Sequence, residues 1–248
     1  MREVETPLGT VRVADDQPTF WDRVAAGEWE PGTLATLRRL LGPGTLFLDL
    51  GAWVGPLTLL AARARARVLA VEADPAAFGQ LVRNLVVNPD LAAAVTPLLR
   101  AVAPGPGLVR LGARRKPGDS MSSVLLAGSA ESWDAVAITP DELATHLRPG
   151  ERLVAKLDIE GGEYDVLPTV ARLIDRPGAS LLVSLHPAFL AEAGELNPAA
   201  RALAALAPFA AWDSYAVGRS GPKRAKIGPK ALARHETWLL RRPEADPA

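Results

Sequence analysis

Short apolar runs alternate along this chain with stretches whose apolar positions recur every three or four residues, the signatures of buried strands and amphipathic helices. Residues 2–14 alternate weakly, with Val4, Val11 and Val13 around Pro7-Leu8-Gly9, and predict a short β-hairpin. Helical turns follow over 19–24 and 33–41, the second stopped by Gly42-Pro43-Gly44. The run Leu46-Phe47-Leu48-Asp49-Leu50 is the first core strand, continuous enough for a strand covered on both faces. Strand and helix then alternate. The strands are 68–72, 95–99, 153–158 and 181–185; the helices are 56–65, 75–87, 140 onward, 163–174 and 199–208. Pro97 makes 95–99 a weaker strand, since proline suits an edge or a strand start better than a middle. Residues 104–131, richer in Gly, Pro and Ser, read as an inserted hairpin or loop. Two last strand candidates, 211–217 and 237–240, flank a basic loop over 219–230.

This alternation without repeats predicts an α/β fold, a doubly wound Rossmann-like sheet. We divide it into a small N-terminal cap over 1–44 and a larger unit over 45–248, both within one domain. Composition narrows the function. The 248 residues carry 28 Lys+Arg against 28 Asp+Glu, which argues against a protein that coats nucleic acid. With no cysteine, disulfide scaffolds, thiolate zinc sites and cysteine nucleophiles are excluded. No run is long and apolar enough for a membrane span, and the polar opening lacks the form of a signal peptide, so a cytoplasmic protein is expected.

The candidate chemistry lies in Asp49-Leu50-Gly51-Ala52-Trp53-Val54-Gly55-Pro56, directly after a strand and opening a helix. Gly51 and Gly55 let the backbone turn tightly and approach a ligand. A dinucleotide fingerprint would need Gly where Trp53 and Pro56 stand, and their absence fits a ligand without a pyrophosphate. Asp49 suits a positively charged group. Glu72, ending the next strand 21 residues after Gly51, has the spacing of a ribose-binding carboxylate. Adenosine joined to a cationic amino acid is S-adenosylmethionine (SAM).

Three segments resemble the FkbM family of methyltransferases: 48–55, then Ala70-Val71-Glu72-Ala73-Asp74-Pro75, then Lys156-Leu157-Asp158-Ile159-Glu160-Gly161-Gly162-Glu163. Asn84, Asn88-Pro89 and Trp29-Glu30-Pro31 belong to the same resemblance, which spans roughly residues 20–190. It implies a seven-stranded sheet of order 3-2-1-4-5-7-6 with the seventh strand antiparallel, and methylation of hydroxyls on sugars or natural products. It further implies that Asp49, Gly51, Ala52, Trp53 and Gly55 hold the methionine end of SAM, that Glu72 holds the ribose, and that Ala73 and Ala101 border the adenine.

Asp158, at the carboxyl end of the fourth strand, is expected to contact cofactor or acceptor. His186, in Leu185-His186-Pro187 after the fifth, is the other candidate to take a hydroxyl proton. Glu163 is read as a helix-terminal cap. Mg²⁺ among Asp158, Glu160 and Glu163 is the lesser reading beside a metal-free site. Trp21 and Trp29 either pack the cap or line an acceptor pocket. His146 and His235 are read as structural or solvated. Arg219, Lys223, Arg224, Lys226 and Lys230 form a solvated loop or a lure for an anionic or carrier-bound acceptor.

Three alternatives remain: a non-catalytic SAM-binding module, a nicotinamide-dependent oxidoreductase or epimerase, and a nucleic-acid methylase. The second lacks a Tyr-x-x-x-Lys pair, since Pro168 follows Tyr164 and Arg219 follows Tyr215 at that spacing. The third lacks a Pro-Pro-aromatic turn after the fourth strand.

Overall fold

The computed structural model describes residues 1–6, 9–14, 16–233 and 236–243. Strands β1 (Arg2–Val4) and β2 (Val11–Val13) pair antiparallel as the expected hairpin, though Pro7 and Leu8 of its turn lie outside the described residues. Helices α1 (Pro18–Ala25) and α2 (Pro31–Leu40) complete the cap. The chain then runs through β3 (Thr45–Leu50), α3 (Pro56–Arg63), β4 (Arg67–Glu72), α4 (Pro75–Val86), α5 (Pro89–Ala92) and β5 (Val95–Leu99). A small separate sheet follows, from β6 (Ala101–Val102), β7 (Leu108–Gly112) and β8 (Ser132–Ile138). After α6 (Pro140–Ala144) the chain re-enters the main sheet with β9 (Arg152–Leu157), α7 (Glu163–Leu173) and β10 (Ser180–Ser184). Helices α8 (Pro187–Glu192) and α9 (Pro198–Leu206) lead to β11 (Asp213–Gly218), β12 (Gly221–Arg224), α10 (Pro229–Leu232) and β13 (Thr237–Arg241).

The main sheet has the order β12-β11-β13-β10-β9-β3-β4-β5. Without β12 this is the expected seven-strand order, and β13 is antiparallel to both its neighbours. The fold is a doubly wound Rossmann-like sheet with a cap. Pro97 does sit on an edge strand, where its missing N–H costs no ladder bond.

Two elements differ from expectation. The insertion extends beyond 131, because Ser132–Ile138 pairs with both β6 and β7. The basic loop contains an eighth strand, β12, joined to β11 across Arg219-Ser220, with Gly221 at φ 100°. Its residues, Gly-Pro-Lys-Arg, show no alternation because the strand is a solvated edge, and edge charges discourage further pairing.

Alternation on the strands decides what reaches the site. Leu46, Leu48 and Leu50 pack on one face with Leu153, Ala155 and Leu157, while Phe47, Val68, Ala70 and Val154 pack on the other. By the same parity Asp49, Glu72 and Lys156 belong to the second face. The register sets Asp49 directly beside Lys156. Buried Asn84 and Asn88 fasten the hairpin to this face. Asn88 Oδ1 accepts from Arg12 N (2.9 Å), Asn84 Oδ1 from Ala14 N (2.8 Å), and Asn84 Nδ2 donates to the Val54 carbonyl beside the glycine turn (2.9 Å). No described helix is long and apolar enough to cross a membrane.

Candidate functional site

The turn after β3 is fixed by two close approaches. Gly51 has φ +85°, and a Cβ there would lie 1.9 Å from the Asp158 carbonyl oxygen. Gly55, at φ +87° before α3, leaves room only for Leu81, whose Cδ1 a Cβ would meet at 2.4 Å. Both glycines are therefore required by sterics. Asp49 is fully buried. Its Oδ2 accepts from Thr58 Oγ1 (2.6 Å), whereas its Oδ1 has no hydrogen-bond partner and faces Lys156 Nζ at 3.8 Å. Burial pushes the Asp49 carboxyl up, with Lys156 opposing. Lys156 Nζ donates to the Gly51 carbonyl (2.6 Å) and stands 3.5 Å from Asp158 Oδ2. Burial by itself would lower the Lys156 pKa, but Asp158 and Asp49 carry it above the usual lysine value.

Glu72 anchors the turn from the neighbouring strand. Its Oε2 accepts from Trp53 N and its Oε1 from Asp74 N, both at 2.7 Å. Burial lifts its pKa to about 7 against the pull of those two N–H groups. Each oxygen retains a lone pair for a ligand donor. Asp74 caps α4 through Ala76 N (2.7 Å) and Ala77 N (3.2 Å). Its other oxygen accepts from Gly118 N (2.6 Å) and Ser122 Oγ (2.8 Å), pinning the inserted loop beside the turn. Trp53 Nε1 reaches the same loop at the Gly118 carbonyl (3.1 Å).

The ends of β9 and β10 form the opposite wall. Glu163 is wholly buried and does not cap the helix as expected: it is the first residue of α7, whose cap position is Gly162, and its carboxylate accepts from Ile159 N and Gly161 N of the preceding loop (2.8 Å each). It does more, since His186 Nδ1 donates to its Oε1 at 3.1 Å. His186 Nε2 points at Asp158 Oδ1 and Glu160 Oε2, 3.5 Å from each. Burial alone would lower the His186 pKa, but the Glu163 hydrogen bond and charge, with Asp158 and Glu160, lift it to about 9. Burial lifts Glu160 to about 7, with His186 opposing.

Between these walls lies a cleft of about 630 Å³, lined by Asp49, Gly51, Ala52, Trp53, Glu72, Ala73, Ala101, Asp158 and Glu160 among others. Of the expected site residues, Gly55 and His186 are not in the lining: Gly55 packs beneath the turn, and His186 stands one layer behind Asp158 and Glu160. Trp21 is buried, whereas Trp29 faces the cleft and packs edge-on against Phe20, which does the same to Trp53. His146 is engaged through its backbone, its N–H donating to the Leu143 carbonyl (3.1 Å) and its carbonyl accepting from Arg67 (2.7 Å); His235 lies outside the described residues. None of the five basic residues over 219–230 is in the lining.

Lys156 and Glu30 are among the lining residues not singled out from sequence. Lys156 was detectable as a lone charge inside an apolar strand. Glu30, before α2, reaches the cleft from the cap while remaining exposed to solvent. Glu30, Trp53 and Glu160 are three of the four described non-glycine residues with positive φ, at 40°, 49° and 57°. Each costs about 1–2 kcal/mol, and such strain gathers at functional sites.

Fold and cleft together define a Rossmann-like α/β domain with a cleft of mixed charge at the carboxyl edge of its central strands. No protein-family model matches the chain, and no curated protein matches it. Among solved structures it is similar to the methyltransferase FkbM from Methylobacillus flagellatus KT, with 18% identity and a TM-score of 0.47, over 93% of this chain and 56% of that one. It is also similar to a SAM-dependent O-methyltransferase from Thermotoga maritima (10% identity, TM-score 0.46, 100% and 87% covered). A third is precorrin-6y C5,15-methyltransferase from Geobacter metallireducens GS-15 (12% identity, TM-score 0.44, 84% and 85% covered).

Proposed function

We propose that this protein is a SAM-dependent methyltransferase of the FkbM type, transferring a methyl group to a hydroxyl of a small-molecule acceptor such as a sugar or natural product. The observation that carries this reading is the cleft's arrangement. A glycine turn, a half-engaged carboxylate at the end of the next strand and a buried unpaired carboxylate oxygen all face one cavity.

The residues fit the cofactor. Glu72 would accept from the ribose hydroxyls, Ala73 and Ala101 would border the adenine, and Asp49, Asp158 and Glu30 present negative charge to the ammonium and sulfonium. When bound, SAM supplies an electrophilic methyl on its sulfonium, so the protein's task is to align the acceptor and exclude water. Phe20, Trp29 and Trp53 close the cleft on the cap side. The acceptor lies toward Asp158 and Glu160, whose carboxylates are where its hydroxyl proton goes. His186 is protonated at neutral pH by the same neighbours, so it positions these carboxylates and leaves the base role to Asp158. Arg23, Arg115 and Lys116, exposed at the rim, suit an anionic acceptor.

Calorimetry with SAM and with S-adenosylhomocysteine tests the reading. Binding of both is expected; no heat from either at millimolar concentration overturns it.

A further inference from the structure

We propose that Asp158, Glu160 and His186 bind one divalent transition-metal ion at the acceptor end of the cleft. The role given to the ion rests on the methyl-transfer reading; the existence of the site does not. Ligand atoms of the three residues lie within 4.8 Å of one another. His186 Nε2 is 3.5 Å from both Asp158 Oδ1 and Glu160 Oε2. That exceeds the roughly 2.7–3.2 Å of an N–H···O bond. Around an ion bound at ~2.1 Å, however, tetrahedral ligand atoms stand ~3.4 Å apart.

Two further observations point to a cation. Asp158 Oδ1 is shut off from solvent without a hydrogen-bond partner, a costly state for a carboxylate oxygen. Glu163, fully buried, accepts a hydrogen bond from His186 Nδ1 and so aims Nε2, whose proton the ion displaces on binding, between the two carboxylates. A carboxylate holding the far nitrogen is the arrangement that orients metal-ligating histidines. One imidazole with two carboxylates suits Mn²⁺, Fe²⁺ or Zn²⁺ better than Ca²⁺.

The ion's open side faces the cavity, because Asp158 and Glu160 line it while His186 lies behind. There it would coordinate the acceptor's hydroxyl oxygen. Coordination makes the O–H acidic, its proton leaves to water, and the oxygen keeps the electron pair that forms the new C–O bond while the methyl–sulfur bond of SAM breaks and its electron pair stays on the sulfur of S-adenosylhomocysteine. Coordination thus takes over from direct proton uptake by Asp158.

The test uses Mn²⁺ alone on the full chain after chelator treatment, followed by calorimetry and electron paramagnetic resonance. One Mn²⁺ per chain is expected, bound at least about tenfold more weakly by His186→Ala and by Glu160→Gln. Echo-envelope modulation from an imidazole nitrogen is expected in the unmodified chain, a readout that needs no variant to fold. Absence of stoichiometric binding, absence of that modulation, or full binding by both folded variants overturns the proposal. S-adenosylhomocysteine is titrated separately into metal-free protein. If it binds and Mn²⁺ does not, the metal site alone fails. If Mn²⁺ binds with the imidazole signal and S-adenosylhomocysteine does not, the site stands and the methyl-transfer reading fails.

Discussion

Glu72 makes nucleoside affinity depend on pH in a direction the structure specifies. Its two oxygens already accept from Trp53 N and Asp74 N, and burial holds its pKa at about 7. Ribose hydroxyls donate best to the ionised carboxylate. Below pH 7 the ligand must therefore first drive off a proton, which weakens apparent affinity by the fraction ionised. That fraction is about 9% near pH 6 and about 91% near pH 8, so affinity should rise about tenfold across the interval. Methylthioadenosine is the proper probe, since it has the ribose and adenine but no amino group titrating near ~8. Glu72→Gln should remove the pH dependence. It should also weaken binding at pH 8 about five- to thirtyfold, because one or two charge-assisted bonds each lose about 1 kcal/mol. Glu72→Ala should weaken SAM more than about tenfold, with circular dichroism confirming the fold. Isothermal titration at several pH values decides the matter. A flat profile in the unmodified protein, or a Glu72→Gln variant that keeps the slope, would refute the reasoning.

The ligand-free protein should lose stability as pH rises from about 4.5 to about 7. Over that window the folded state holds the Glu72 proton that the unfolded chain has released; Tm should fall, and fall less in Glu72→Gln. Gly51→Ala should cost about 2–5 kcal/mol, combining the left-handed φ with a Cβ driven into the Asp158 backbone. Gly178→Ala, with similar φ but no atom within 4 Å, should cost only about 1–2 kcal/mol in the same urea titration; equal losses would discredit the close approach. Glu163→Ala strands the Ile159 and Gly161 N–H groups, so a loss of about 3–6 kcal/mol is expected in denaturant midpoints, and a loss under about 1 kcal/mol would contradict the buried network. Asp74→Ala should speed amide exchange at Gly118 and Met121 by releasing the inserted loop, while exchange in β3 stays slow.

Signals carried by neighbouring residues were legible without coordinates. The apolar runs of β3, β4, β9 and β10 are covered on both faces, so they stand out whatever lies beside them. Gly51 and Gly55 announce a turn because no other residue tolerates that backbone so closely packed. Asp49 and Glu72 follow from their places at strand ends. β12 and β8 escaped notice because their faces meet solvent or a small sheet, which leaves weak alternation.

Tertiary structure alone decided which charges meet. Parallel pairing sets Lys156 beside Asp49, and a crossover brings His186 onto Glu163, 23 residues away in the chain. The cap carries Glu30 into the same cleft. Burial then raises the pKa values of Glu72 and Glu160, while the carboxylates gathered around His186 raise its own against burial, and both effects are properties of the packed volume around a group. A sequence therefore names the carboxylates and the imidazole, whereas their protonation, partners and aim arise only when strands distant in the chain share one edge of a sheet.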